Sequence, residues 1–451
     1  MAEWVQHALW WQVYPLGFLG CPAQAQENQP IAHRLPALTN WLDYLVELGA
    51  NGLALGPIFA SESHGYDTID HRRIDPRLGT EEDFLALVAA AKQRGIRVLL
   101  DGVFNHVGRG HAAFQDVLRH GPSSAYADWF RLFWPTGWQP GTEPDYEHFE
   151  GHRRLVDLNH DNPQVVDEVA DVMTYWLDRG VDGWRLDAAY AVPPSFWAAV
   201  LPRVRARHPQ AFFVGEVIHG DYAQIVRDSG LDSLTQYELW KSTWSSINDA
   251  NFFELAWTLT RHNELLKTFP PLTFVGNHDV TRIASQLRDP QHLAHALIVL
   301  LTVGGIPSIY YGDEQGLTGI KEERFGGDDE IRPAFPDSPD LLAAAGPNAA
   351  ATLKPATLRP ETLRLHRELI GLRRRNPWLH RAHTTQLHLA NEQFCYETRA
   401  GDQRLVVALN LANTAAALPA MKCGAALAGR MDRLPNGRLS LPAHGWAVLA
   451  G

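Results

Sequence analysis

Eight short apolar segments, each running out into polar residues and separated by helical stretches, constrain this chain more than any other feature. They fall at 9–15, 50–57, 96–106, 181–187, 211–216, 231–238, 271–279 and 306–314. Apolar runs of this length, without strict alternation, are expected of strands buried on both faces, as in parallel sheets. Helices are expected over 39–49, 81–95 and 162–180, where acidic residues favour the starts and glycines the ends. Alternating strands and helices leave two α/β solutions, an open sheet or a closed (β/α)8 TIM barrel. Polar, chemistry-bearing residues at the strands' carboxyl ends favour the barrel.

Two departures from this rhythm divide the chain. Residues 107–161 lie between the third strand and the following helix, a connection too long to be left unstructured in a compact domain, and are expected to form an inserted subdomain. From 376 to 451 the pattern changes to short extended segments broken by glycine, proline and asparagine, which predicts a C-terminal antiparallel β-sandwich domain. The catalytic barrel is thus assigned to 1–106 and 162–375. An irregular stretch at 319–355 follows the eighth strand and is placed to cover the barrel mouth.

With 451 residues and 45% hydrophobic composition the chain can bury a sizeable core. A formal net charge of −11 disfavours nucleic acid and anionic membranes as partners and suits a neutral ligand. Cys21, Cys395 and Cys423 are too few and too scattered for a disulfide framework. Neither a secretory leader nor an apolar run of membrane-spanning length is found, so a cytoplasmic protein is expected.

Asp101, Asp187, Glu216 and Asp279 all fall at strand ends. Any one of them could be a cap or an ion-pair partner, but a barrel gathers such positions at one mouth. Glycoside hydrolysis needs two carboxyl groups in different protonation states, one to protonate the departing oxygen and one to attack or to activate water. His106 and His111 raise the question of zinc, yet neither HExxH nor a cysteine and histidine cluster accompanies them.

DGVFNH at 101–106, GWRLDAAYA at 183–191, GEVI at 215–218 and FVGNHD at 274–279 stand in the order of four blocks, and with them the chain resembles the α-amylase superfamily, glycoside hydrolase family 13. The resemblance implies a retaining enzyme acting on α-glucosidic bonds through a covalent glycosyl-enzyme intermediate. Asp187 would be the nucleophile, Glu216 the acid/base, and Asp279 the third carboxylate, holding sugar hydroxyls. Arg185 would orient the nucleophile, His106 and His278 would bond the sugar, and Tyr66 would lie under its ring. Asp67 and Asp101 would support the site. Asn105 resembles a calcium position, but Tyr190 and Ala191 replace the lysine and histidine that commonly end the second block, so no cofactor is required and a structural calcium is left in doubt. Tyr190 and Arg332 are added as substrate-binding candidates, Arg332 with the acidic loop Asp328, Asp329 and Glu330, which either closes around ligand or is simply solvated.

EVIHGD at 216–221 resembles cyclomaltodextrinases and neopullulanases, whereas VDLN at 156–159 approaches the oligosaccharide α-glucosidase pattern. Together they point to short linear or cyclic malto-oligosaccharides, with glucosyl transfer or isomerisation as the alternative and a non-catalytic sugar-binding protein as the remote one. Trp134 and Trp138 in the insert either stack on sugar or pack the subdomain.

Overall fold

The computed structural model describes residues 1–26, 28–324, 326–344 and 359–451. Part of the irregular stretch at 319–355 therefore lies outside the described residues. Eight strands form the central sheet: β1 (Trp10–Val13), β2 (Gly52–Leu55), β3 (Arg97–Gly102), β4 (Gly183–Leu186), β5 (Phe212–Gly215), β6 (Ser233–Leu234), β7 (Leu272–Thr273) and β8 (Ile306–Tyr310). They hydrogen-bond in the order β6-β5-β4-β3-β2-β1-β8-β7, and a parallel bridge from Thr235 to Leu272 joins the two ends. The sheet closes into the expected barrel. The outer helices include α1 (Leu42–Leu48), α2 (Glu81–Gln93), α3 (Pro163–Asp178), α4 (Pro194–Arg207), α5 (Tyr222–Ser229), α6 (Tyr237–Asn248), α7 (Phe253–Leu266), α8 (Leu293–Thr302) and α9 (Pro360–Arg375).

Several strands are shorter than their apolar segments, for local reasons. At 231–238 the sheet ends after Leu234, because the Gln236 side chain accepts from the Leu239 N–H and starts α6 at Tyr237. At 271–279 it ends after Thr273, and Asn277 accepts the Asp279 N–H instead. The helix expected at 39–49 is two pieces, Leu35–Thr39 and α1, the second ending on Gly49 with φ 95°. A reciprocal Thr80–Asp83 capping box fixes the start of α2.

Alternation along each strand decides what enters the lumen. Trp10, Leu99, Phe212, Val214 and Ile306 form a cluster closed from beneath by Ala2, Val5 and Ala8, while Trp11, Leu53, Leu100, Leu186 and Phe213 belong to the large core under the helices. Two residues beyond Leu99 is Asp101; two beyond Gly183 is Arg185, and two more is Asp187; two beyond Val214 is Glu216. The inward rows thus change from apolar packing to charge at the carboxyl ends. Register completes the alignment, because Arg185 pairs with Asp101 on one side and Val214 on the other.

The insert is rooted in an antiparallel ladder in which His106–Gly108 pairs with Leu155–Asp157, and Phe114 packs edge-on against Phe130 and Tyr146 at 5.2 and 5.1 Å. A smaller excursion after β2, pairing Phe59–Ser61 with Thr68–Ile74, carries Tyr66 and Asp67 on its connection. Beyond residue 382 come β9 (His383–Ala390), β10 (Gln393–Ala400), β11 (Gln403–Asn410), β12 (Ala426–Gly429) and β13 (Trp446–Ala450), an antiparallel sheet in the order β9-β10-β11-β13-β12. A three-stranded sheet built on Ala416–Leu418 and Leu439–Leu441 shares an apolar cluster with it.

Gly183 shows how tightly β4 is set. A Cβ there would come within 2.1 Å of the Phe212 carbonyl oxygen, a backbone atom that cannot swing aside. Gly183→Ala is expected to cost at least about 2 kcal/mol and to lower turnover by displacing Arg185. In the exposed-side control, Gly371→Ala in α9, the added carbon meets only the flexible Arg375 guanidinium at 3.2 Å, and stability should hold or rise. Thermal unfolding of the two variants checks the contrast.

Candidate active site

One buried guanidinium organises the barrel mouth. Arg185 Nη1 donates to both Asp101 oxygens at 2.7 Å and to Asp187 Oδ1 at 3.2 Å, and Nη2 lies 2.7 Å from Glu216 Oε1. Ala188, just past β4, takes φ 45°, which directs its N–H to Glu216 Oε2 at 3.0 Å. The Tyr237 hydroxyl donates to Glu216 Oε1 at 3.1 Å and is itself held by Asn277 at 3.0 Å. Both oxygens of Glu216 are therefore positioned, Oε1 by Arg185 and Tyr237 and Oε2 by the Ala188 N–H.

Asp279 lies across the site, a third exposed at its side chain, with His278 Nε2 at 2.9 Å and Arg332 Nη2 at 3.0 Å on its two oxygens. Arg332 also donates Nε to the His278 carbonyl at 2.9 Å and ion-pairs with Asp328 at 2.9 Å. Tyr66 lies parallel to His278 with ring centres 5.5 Å apart, its hydroxyl in contact with His278 Nε2 and 3.2 Å from Asp101. On the other side of His278, Tyr14 stacks at 6.0 Å and Gln12 reaches Nδ1 at 3.2 Å.

These contacts separate the acids electrostatically. Burial pushes the Asp187 carboxyl well above the usual carboxylate range, and the Glu216 charge adds to the effect, against the pull of Arg185. Asp101 moves upward too, again chiefly by burial. Asp279 goes the other way: burial opposes its ionisation, but His278, Arg332 and Arg185 outweigh burial and hold it far below its ordinary value. Burial lowers Arg185 as well, yet Asp101 and Glu216 more than compensate, so the guanidinium keeps its charge.

The remaining candidates have distinct placements. His106 is buried with both nitrogens engaged, Nε2 on the Tyr66 carbonyl at 3.0 Å and Nδ1 on the Asn105 amide at 3.2 Å, and its ring stacks on Phe149 at 4.8 Å. Through Nε2 it holds the Tyr66 backbone. Asp67 bonds the N–H and hydroxyl of Ser63 and so organises its own loop, not Arg185. Tyr190 is half-buried and donates to Glu150 at 2.7 Å. Asn105 donates to Asp157 at 3.3 Å, whose acid is pushed up to about 6 by burial and then by Glu147. His111 caps its own helix. In the insert, Trp138 packs directly on Gly121 and Trp134 against the main core; neither lines the cavity described next.

A cavity of about 1670 Å³ adjoins the acids, meeting them at Tyr66 and Arg332. Ser63, His64, Phe149, Glu150 and the loop Asp328–Glu330 contribute to its wall, as does the segment from Gly20 to Gln26. It exceeds the roughly 300–1,000 Å³ usual for small-molecule pockets. Gln12, Tyr14 and Tyr237 were not among the sequence candidates. Gln12 sits in the apolar strand β1 and Tyr14 just past its end, and Tyr237 begins a helix where strand was expected, so no motif marks them.

A closed parallel barrel carrying opposed carboxyl environments at its strand ends is the framework of a carbohydrate-active barrel enzyme. The α-amylase catalytic domain profile matches residues 12–340, a span that includes all four acids. Over 445 residues the chain is 31% identical to a cyclomaltodextrinase of Geobacillus thermopakistaniensis, covering 92% of this chain and 71% of that one. It is 34% identical over 345 residues to the maltogenic α-amylase of Bacillus acidopullulyticus, covering 70% of this chain but only 57% of that enzyme's length. Among solved structures, the cyclic α-maltosyl-(1→6)-maltose hydrolase of Arthrobacter globiformis superposes with a TM-score of 0.81 at 27% identity, covering 100% of this chain and 99% of that one. The chain belongs to the α-amylase family of glycoside hydrolases.

The upward shift of Asp187 has a measurable consequence. A carboxyl whose folded value is raised favours folding below its ordinary range and costs stability as pH rises and it must ionise. Asp187→Asn removes that cost while Arg185 keeps Asp101 and Glu216, so the variant should gain thermal stability over the parent at pH 7.5 and gain less, or nothing, at pH 4.5. Scanning calorimetry at the two pH values checks the sign.

Proposed function

We propose that the chain hydrolyses α-glucosidic bonds of short or cyclic malto-oligosaccharides with retention of configuration, Asp187 acting as nucleophile and Glu216 as acid/base. The observation that carries this reading is the single arginine shared by Asp101, Asp187 and Glu216, with Asp279 held ionised opposite them. In this reading Glu216, acting as the acid, gives a proton to the glycosidic oxygen as the bond to the anomeric carbon breaks. Asp187, ionised beside Arg185, forms the new bond to that carbon. Glu216 then takes a proton from water, the water oxygen attacks the anomeric carbon, and Asp187 leaves. Asp279 accepts from sugar hydroxyls, and Tyr66 lies against the ring as a platform.

A broad cavity reached past Tyr66 and Arg332 supports a compact, bulky saccharide over a single glucosyl unit. The names of the cyclomaltodextrinase and cyclic maltosyl-maltose hydrolase relatives support the same choice. Transfer to a second sugar would use the same intermediate and differ only in the acceptor. We also place the protein in the cytoplasm, a reading supported by three free cysteines; no helix among the described residues is long and apolar enough to cross a membrane. A resident calcium is left out of the proposal, since that ion takes roughly six to eight oxygen ligands and Asp157 is the one carboxylate bonded to Asn105.

Two measurements test the reading. Glu216→Gln should lose about 10²- to 10⁴-fold of maltotriose turnover but much less on an aryl α-glucoside whose leaving group needs no proton, whereas Asp187→Asn should lose both. Near-normal maltotriose turnover by a folded Glu216→Gln variant would sink the acid/base role. Products from maltotriose, a cyclic dextrin, isomaltose and soluble starch, followed by proton NMR, should show α-configured sugar first and higher efficiency on the short or cyclic substrates, unchanged after dialysis against EGTA. First-formed β-configured product would mean inversion, starch as the best substrate would overturn the compact-substrate choice, and products longer than the substrate would favour transfer.

A further inference from the structure

Two histidines and an aspartate meet where the barrel touches the C-terminal domain. Asp289 caps the short turn Pro290–His292, its carboxylate accepting from the Gln291 N–H at 2.9 Å, and the turn runs straight into α8. His444 comes from the turn before β13, 152 residues further on. His292 Nε2 and His444 Nδ1 face each other at 2.9 Å, Asp289 Oδ2 lies 4.0 Å from the same His444 nitrogen, and one donor atom from each residue falls within 4.8 Å of the others. His292 is buried, while Asp289 and His444 are partly exposed, leaving a route from solvent.

Two neutral imidazoles can share one hydrogen, and that alone would account for the 2.9 Å contact. It does not account for the rest of the arrangement. His444 adopts φ 51°, a left-handed conformation costly for a residue with a Cβ, and its N–H is fastened to the Ala412 carbonyl at 3.0 Å. The conformation presents the ring to His292 and to a carboxylate from the other domain.

We propose that Asp289, His292 and His444 bind a divalent transition-metal ion of the zinc class, which clips the barrel to the C-terminal sheet. Zinc holds imidazole nitrogens at about 2.0–2.1 Å in a tetrahedron, so its donors stand about 3.3 Å apart. The two nitrogens must therefore open slightly and the carboxylate close in. The ion replaces the hydrogen between the rings, His444 carrying its proton on Nε2 instead, and water supplies the fourth ligand. Two nitrogens and one carboxylate select zinc or cobalt over calcium and magnesium, which prefer all-oxygen shells. Because the ligands come from both domains, the ion favours their docked state.

Metal-stripped full-length protein titrated with zinc chloride in a calorimeter should bind one ion at micromolar concentration or tighter, and the thermal midpoint should rise by at least about 3 °C. Cobalt(II) should give the visible absorption of a tetrahedral nitrogen and oxygen site. His292→Gln and His444→Asn, the latter suited to the left-handed backbone, should weaken binding by at least about 100-fold and abolish the midpoint shift while circular dichroism stays native; exposed His383→Gln should change neither. No saturable binding at micromolar zinc, equal binding by both site variants, or binding removed only by alkylating the cysteines would each overturn the proposal.

Discussion

The Arg185 guanidinium is the contact on which the barrel mouth depends. A buried cation is costly unless its partners are numerous and well placed, and here they come from three adjacent strands: Asp101 beyond β3's apolar inward row, Asp187 at the end of Arg185's own strand, and Glu216 beyond β5. Register makes this possible, because it sets Arg185 directly beside Asp101. A slip of one residue would turn Arg185 into the apolar layer under the helices. Strand pairing and the electrostatics of the site are thus a single constraint, and Gly183, too close to Phe212 for any side chain, keeps the neighbouring strands in that relation.

Around this centre the connections supply what the strands cannot. The hairpin after β2 brings Tyr66 to Asp101 and His278, and His106 holds the Tyr66 backbone from the root of the insert. The loop after β8 brings Arg332 to Asp279. Tyr14 lies beneath Arg332, whose guanidinium is 4.6 Å over its ring, and its own phenol, donating to the His64 carbonyl at 2.8 Å, is raised to about 12 by burial. The two carboxylate environments differ because Asp279 has His278 on one oxygen and the Arg332 guanidinium on the other, whereas Asp187 shares Arg185 with two other acids.

Barrel, insert and terminal β domain were legible in the sequence because apolar segments and the long interruption at 107–161 are properties of single stretches of chain. The acids were legible for the same reason, each standing at the polar end of an apolar run. Contacts made across the fold were not. His106 also holds the Tyr66 backbone and contacts the Asn105 amide, partners that its block does not announce. Gln12 sits in the apolar strand β1 and Tyr14 just past its end, without a distinguishing pattern. Tyr237 was hidden by a boundary error, since the Gln236 cap that converts strand to helix depends on a side-chain bond that hydrophobic periodicity does not carry.

The insert leans back on the barrel beside Tyr190. Glu150 takes φ 47° and ψ 35°, a left-handed conformation unfavourable for a glutamate, and Gly151 follows at φ 84°. This turn puts the Glu150 carboxylate on the Tyr190 hydroxyl while Phe149 stacks on His106, so one strained corner touches both the nucleophile's strand end and the residue that holds Tyr66. Burial raises the Tyr190 phenol and the Glu150 carboxylate adds to the shift, so Tyr190 keeps its hydroxyl proton for this contact. The Tyr190 ring is half-buried at this corner, with Phe149 at 6.4 Å and His219 at 5.6 Å. Strand register thus sets the geometry of the acids around Arg185, while the insert reaches the same mouth through Phe149 and Glu150.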